Sequence, residues 1–265
     1  MSCSLRYHHG LSATMTKRTA GNVHRLRSGA SNGLYALLTL VLAAGLAWLL
    51  SAQLNYFYGF FHDHIGIAET IAEYGPQNRF KDGFETTDRA QRITLFAEIV
   101  RAVHSDGEGL KEISYRAAGR TRAVALLHEA EIIHLQDVAH LISATRLLVI
   151  LTAMAWTVWT LAKIRRKAPF PPLTQQLGKL LGVSVLIAGL LGVFGFEAVF
   201  YQLHIWVFPA EHQWFFYYQD SLMSTMMQAP VLFAYIGGSI AALGVALFCA
   251  ITALFHRYSH KNAGK

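Results

Sequence analysis

Charge is scarce in this chain: 15% of its 265 residues are charged, against 53% that are hydrophobic. The apolar residues come in long blocks, not at the period of a core-facing helix, which excludes an ordinary water-soluble domain and indicates a membrane protein. Cysteine is nearly absent. Cys3 and Cys249 lie in an N-terminal tail and a late apolar block, so no disulfide framework exists. Acids are missing from whole stretches: every Asp and Glu lies between Asp63 and Asp220. Neither S-x-x-K nor H-E-x-x-H occurs, which removes the usual signatures for a lysine-assisted serine and for a helix-borne zinc site.

Four apolar blocks reach the roughly 20 residues a bilayer requires: Leu34 to Leu54, Leu141 to Ala162, Leu180 to about Phe200, and Val231 to Phe255. The first follows a tail of about thirty residues and is too long for the apolar core of a removable signal peptide. Three segments carry bases and no acid: the tail with Arg6, Lys17, Arg18, Arg25 and Arg27; the second connection with Lys163, Arg165, Arg166, Lys167 and Lys179; and the end with Arg257, Lys261 and Lys265. Positive loops stay cytoplasmic, so both termini are expected inside. The net charge of +7 is then a topology signal with some attraction for anionic headgroups, and gives no reason to invoke nucleic acid.

The expected fold is an all-α integral membrane protein of four transmembrane helices, with a mostly helical extracytoplasmic domain between spans 1 and 2. Residues 1–30 form a disordered basic cytoplasmic tail, 31–54 the first span, 55–140 the extracytoplasmic domain and 141–164 the second span. Then follow a cytoplasmic loop at 165–179, the third span at 180–203, an extracytoplasmic interfacial loop at 204–230, the fourth span at 231–255 and a cytoplasmic tail at 256–265.

Within the outer domain, Asn55 to Phe61 is an aromatic collar at headgroup level. Thr87 to His104 carries Ile93, Phe96, Val100 and Val103 at helical spacing, with Thr86 or Thr87 as cap. Ile113 to Ala125 is a short hairpin or a loop, after which a helix begins near Ala123. Gly178 with Gly182, Ser184 with Ala188 and Gly192, and Gly237 with Ala241 have the spacing that lets membrane helices approach closely, which predicts a compact bundle. Pro169, Pro171 and Pro172 stiffen the second connection. The third connection, Tyr201 to Pro230, holds Trp206, Trp214 and several other aromatics but no Lys or Arg, and reads as an interfacial or re-entrant lid.

The densest chemistry lies at Leu127 to Leu141, L-H-E-A-E-I-I-H-L-Q-D-V-A-H-L, where water gives way to hydrocarbon. Glu131, His134 and Asp137 stand three apart and share a helix side, an arrangement in which carboxylates can fix the tautomer of a general base. The alternative is a solvated helix end whose acids and histidines only mark the interface. Arg146, three turns on, either snorkels to headgroups or clamps an anion. Glu197 closes the third span, with His204 seven residues later on nearly the same face. His134 and His204 should lie at similar depth on neighbouring spans and face one another. Such a pair suits acyl transfer, one imidazole removing a proton and the other donating to the leaving oxygen.

At these residues the chain resembles the bacterial lipoprotein intramolecular transacylase family. Glu131 to Val138, E-I-I-H-L-Q-D-V, is similar to that family's E-x-x-H-M-x-D-V element. Phe200 to Phe208, F-Y-Q-L-H-I-W-V-F, followed by Trp214, Asp220 and Leu222, is similar to its F-x-x-F-H-x-x-x-F element, tryptophan and D-x-L. The family's Asn-Asp pair before the tryptophan is replaced here by Glu211, His212 and Gln213. The resemblance implies an enzyme of the bacterial inner membrane, working on its extracytoplasmic face. Its partners would be diacylglyceryl-modified lipoproteins and membrane lipid, and it would move an acyl chain from the glyceryl group to the α-amino group of the N-terminal cysteine. It implies no cofactor. His134 and His204 become the catalytic pair with Asp137 orienting His134, and either histidine could be a transient acyl acceptor. Glu131, Arg146, Glu197, Trp206, Trp214 and Asp220 become substrate-orienting candidates.

Two rival readings come from other classes. One is a metal- or haem-binding protein using His62, His64, His128, His134, His140, His204 and His212. The other is a non-catalytic partner of an envelope complex.

Overall fold

The computed structural model describes residues 6–263, with side chains placed for 29, 31–259 and 261. Cys3 and the side chains of His8 and His9 lie outside the described residues. Nine α-helices, three single-turn 3-10 helices and one two-stranded hairpin are the regular elements of the described chain. Helix α1 spans Arg6–Gln53. The backbone at 6–30 therefore continues the first helix where the sequence predicts a disordered tail. No proline interrupts that stretch, and extending a ladder already nucleated by the span costs little.

After α1 come α2 (Tyr58–His64), α3 (Ile67–Tyr74) and α4 (Arg89–Val103). Helix α4 is capped by Asp88, whose side chain accepts from Gln91 N at 2.7 Å, one residue after the threonines the sequence suggests. Strands β1 (Ser114–Tyr115) and β2 (Val124–Ala125) resolve the hairpin-or-loop ambiguity as an antiparallel hairpin. Because β2 occupies Val124–Ala125, the next helix starts later than expected. Helix α5 runs Glu129–Arg165, with His128 as its cap. Its 37 residues extend about 55 Å at the helical rise, well beyond a hydrocarbon core about 30 Å thick, so the first turns project into the domain between the first two spans.

Helix α6 (Leu173–Phe194) ends one residue before Gly195, whose φ of 78° breaks the ladder. Helix α7 (Phe196–Val207) then starts afresh, so the third apolar block is two helices instead of one, and Glu197 sits in the first turn of α7. A short helix the sequence did not signal, α8 (Leu222–Met227), is buried along its whole length. Helix α9 covers Val231–Ala263. Four stretches are long and apolar enough to cross a membrane: Ser31–Gln53, Glu129–Arg165, Leu173–Phe194 and Val231–Ser259.

The trunk is α1 packed on α9 and α5, with α6 leaning on α9. A Cβ on Gly45 would lie 2.6 Å from a methyl of Val149, so α1 and α5 approach as closely as glycine allows. The small residues singled out in the sequence are not the ones used. A Cβ on Gly178, Gly182, Gly192 or Gly237 would meet nothing within 4 Å, and the most apolar window of α6 has no buried residue. Close approach thus falls at Gly45 and Gly244 instead. Above the trunk, the core joins Tyr58, Ile71, Leu95, Phe96 and Tyr115 to Leu222 and Met226 of α8. The Tyr58 ring stacks on Phe96 at 4.2 Å, and its hydroxyl donates to the Met226 carbonyl at 2.7 Å, which seats α8 in the inter-span domain.

Candidate active site

His134 lies in the second turn of α5 and His204 in the last turn of α7, and their imidazoles face one another with centroids 6.1 Å apart. The expected meeting of these two residues is therefore seen, although α6 packs principally on α9 and not on α5. Gly195 makes it possible, by ending the span and letting α7 take its own direction.

Aromatic rings fix both imidazoles. Phe208 lies 5.0 Å from His134 and 5.1 Å from His204, Phe200 lies 4.1 Å from His204, and the Trp214 ring lies 5.0 Å from His204. His204 Nδ1–H donates to the Phe200 carbonyl at 2.7 Å, which leaves its Nε2 with a free lone pair. Burial pushes the His204 pKa below the ordinary histidine value, with the Phe200 carbonyl opposing, which favours the neutral ring. His134 is 8% exposed, and its Nδ1 is buried without a hydrogen-bond partner.

The pair opens onto a half-open cavity of about 360 Å³, walled by Leu135, Val138, Phe200, Met223, Phe233 and Ile236 among other apolar residues. An apolar channel beside two imidazoles is a place for a hydrocarbon chain whose polar end meets the rings. A third histidine lines the same cavity. His104 donates from Nδ1 to the Val100 carbonyl at 2.8 Å, and its Nε2 is 3.3 Å from the Tyr56 hydroxyl. Burial lowers its pKa, opposed by the Val100 carbonyl and helped by Arg146; burial also raises Tyr56 to about 12. Its position at the end of α4 gives no sequence cue to the cavity, which is assembled only by the packing of α1, α4, α5, α7, α8 and α9.

The remaining candidates separate into those the fold brings to the pair and those it does not. Asp137 does not hold His134: its Oδ2 accepts from His212 Nδ1–H at 2.6 Å. Sharing a helix side places Asp137 near His134, but the loop delivers a donor that the carboxylate reaches directly. Glu131 is fully buried and structural. It accepts from His128 N at 2.7 Å, closing the helix cap, and also from the Ser221 hydroxyl and from Met223 N. Arg146 donates to the His104 carbonyl at 2.5 Å, which ties it to the end of α4. Glu197 accepts from the Tyr201 hydroxyl at 3.0 Å. Trp206 is 74% exposed and away from the pair, whereas Trp214 packs on it. Asp220 pairs with Arg79 at 2.6 Å.

The other histidines are dispersed. His62 Nδ1 bonds Asp63, His64 Nδ1 donates to the Phe60 carbonyl, and His140 accepts from Gln136. Among the described residues no three His, Cys, Asp or Glu side chains converge as a metal would require. A G-x-S-x-G spacing does occur at Gly29 to Gly33, but it lies inside α1, so Ser31 is not on a strand-to-helix elbow.

Residues 110–229 match the model of the lipoprotein intramolecular transacylase Lit family. The fold is also similar to an in meso structure of the membrane-integral lipoprotein intramolecular transacylase Lit from Bacillus cereus, carrying a histidine-to-arginine mutation. That similarity has a TM-score of 0.58 at 14% identity and covers 92% of this chain and 98% of the other. No curated protein matches. The four apolar helices and the shared fold support a multi-pass membrane protein, and residues 110–229 resemble the Lit family.

Proposed function

We propose that this membrane protein is a lipoprotein transacylase of the Lit family, moving an acyl chain from the diacylglyceryl group of a lipoprotein's N-terminal cysteine to that cysteine's α-amino group and leaving a lyso-form lipoprotein. The observation that carries this reading is the facing pair His134 and His204 at the mouth of an apolar cavity. Hydrocarbon fits the cavity, and the ester carbonyl then lies beside two proton-transfer groups.

In this reading the amine nitrogen attacks the ester carbonyl. His204 Nε2, the lone pair left free by the Phe200 hydrogen bond, takes the proton of the attacking nitrogen. The C–N bond forms, the C–O bond breaks, and the glyceryl oxygen leaves with the proton that His204 has taken, relayed through His134, so both imidazoles end neutral. Nitrogen and oxygen exchange one acyl group, and no water or cofactor is consumed. Holding both groups of one substrate against the pair makes the transfer effectively unimolecular. Trp214 and Phe208 keep the imidazoles in place and water out. The basic tail, second connection and C-terminus favour an inner-membrane topology with the site on the extracytoplasmic face.

The test is tandem mass spectrometry of a diacylglyceryl lipopeptide incubated with the purified, lipid-reconstituted protein. Total mass is unchanged by an internal transfer, so the fragment ions must locate the chain. One acyl chain on the α-amino nitrogen is expected, with turnover reduced by at least about 100-fold in His134→Ala and His204→Ala. Near-normal transfer by His134→Ala overturns the assignment.

A further inference from the structure

Asp137 stands one turn beyond His134 on α5, and its bond to His212 joins residues 75 positions apart. The bond sets the tautomer of His212. With Nδ1 carrying the proton, Nε2 presents a lone pair, and the carboxylate behind it stabilises the imidazolium formed when Nε2 accepts a proton. His212 is 36% exposed and Asp137 16%, so this dyad sits at the water-facing rim and not in the sealed core. The same loop carries Trp214 and Phe216, which pack on His204 and His134. Three other acids of this region are engaged elsewhere, Glu131 in the buried cap, Glu197 with Tyr201 and Asp220 with Arg79, and Glu211 is exposed in the loop. Asp137 is the acid one turn from His134 that holds His212, and its Oδ1 accepts no hydrogen bond from any described residue.

A peptide α-amino group has a pKa of about 7.7–8.0, so most of it is a cation at neutral pH and has no lone pair for attack. Building on the transacylase reading, we propose that Asp137 and His212 receive the substrate's α-ammonium group, Asp137 holding the charge and His212 removing the first proton. The ammonium loses one proton to His212 Nε2, which passes it to water. The neutral amine then attacks, and its second proton follows the His204 and His134 route. The titratable groups around His212 are Asp137 and His134 from α5, His204 from α7 across Trp214, and Glu211 beside it in the loop.

The experiment compares wild type with His212→Gln at pH 7 and pH 9 on the lipopeptide. Glutamine keeps a donor for Asp137 and removes the base. About a tenfold loss in kcat/KM at pH 7, disappearing by pH 9 where the amine is neutral without help, is expected. Equal losses at both pH values, or none at either, make His212 a loop latch and overturn the proposal. A second measurement needs no variant: wild type should bind the α-ammonium lipopeptide at least about tenfold tighter at pH 7 than its α-hydroxyl isostere, and equal affinity overturns it. A wild type inactive at every pH would instead sink the transacylase reading itself, so the two failures are distinct.

Discussion

Glu131 shows how a single carboxylate can fix a site without touching a substrate. Fully buried, it holds the His128 N–H, the Ser221 hydroxyl and the Met223 N–H, and so ties the start of α5 to the start of α8 one turn below His134. A hydrogen bond contributes about 0.5–1.5 kcal/mol, and each donor left buried without its partner costs about 1–3 kcal/mol. Glu131→Ala should therefore lower stability by at least about 2 kcal/mol, read as a lower unfolding temperature of the detergent-solubilised protein, with activity lost through unfolding. His134 and His204 were legible in the sequence because each carries a motif. The roles of Glu131 and Asp137 were not, because helical spacing says which side a residue occupies but not which loop donor reaches it. His212 bonds Asp137 from a loop, where no periodicity gives its position.

At the scale of elements, the two apolar blocks flanking the site behave differently. Helix α5 passes unbroken from trunk to domain, whereas the third block divides at Gly195 with φ 78° and ψ 150°. That backbone region is essentially reserved for glycine and costs other residues about 1–3 kcal/mol. Gly195→Ala should reduce turnover by redirecting α7 and His204, while Gly182→Ala, where a Cβ meets nothing within 4 Å, should leave it unchanged. Lipopeptide turnover and thermal unfolding of the two variants check this. Hydropathy found the four helices long and apolar enough to cross a membrane, since length and composition suffice for that. It could not locate the break, because glycines are frequent throughout this block and only one takes a positive φ. The pairing of Gly45 with Val149 was equally hidden, since small-residue spacing identifies a face without naming the helix against it.

Over the whole molecule, three units meet at the histidines: the trunk of α1, α5 and α9, the inter-span domain with its embedded α8, and the arm formed by α7 and its following loop. The domain's core was only half legible, because its helices and hairpin are seated by α8, whose sequence gives no amphipathic signature of its own. The cavity between these units is lined almost wholly by apolar side chains. A substrate whose hydrocarbon fills such a space is supplied from the bilayer, not from bulk water. Its governing concentration is then a mole fraction in a two-dimensional solvent. Diluting the lipopeptide tenfold with inert phospholipid, at constant amounts of lipopeptide and protein in the tube, should slow a subsaturated reaction about tenfold; diluting the aqueous phase should leave the rate per protein unchanged. The protein would keep its pace in a shrinking volume of water and lose it in a spreading sheet of lipid.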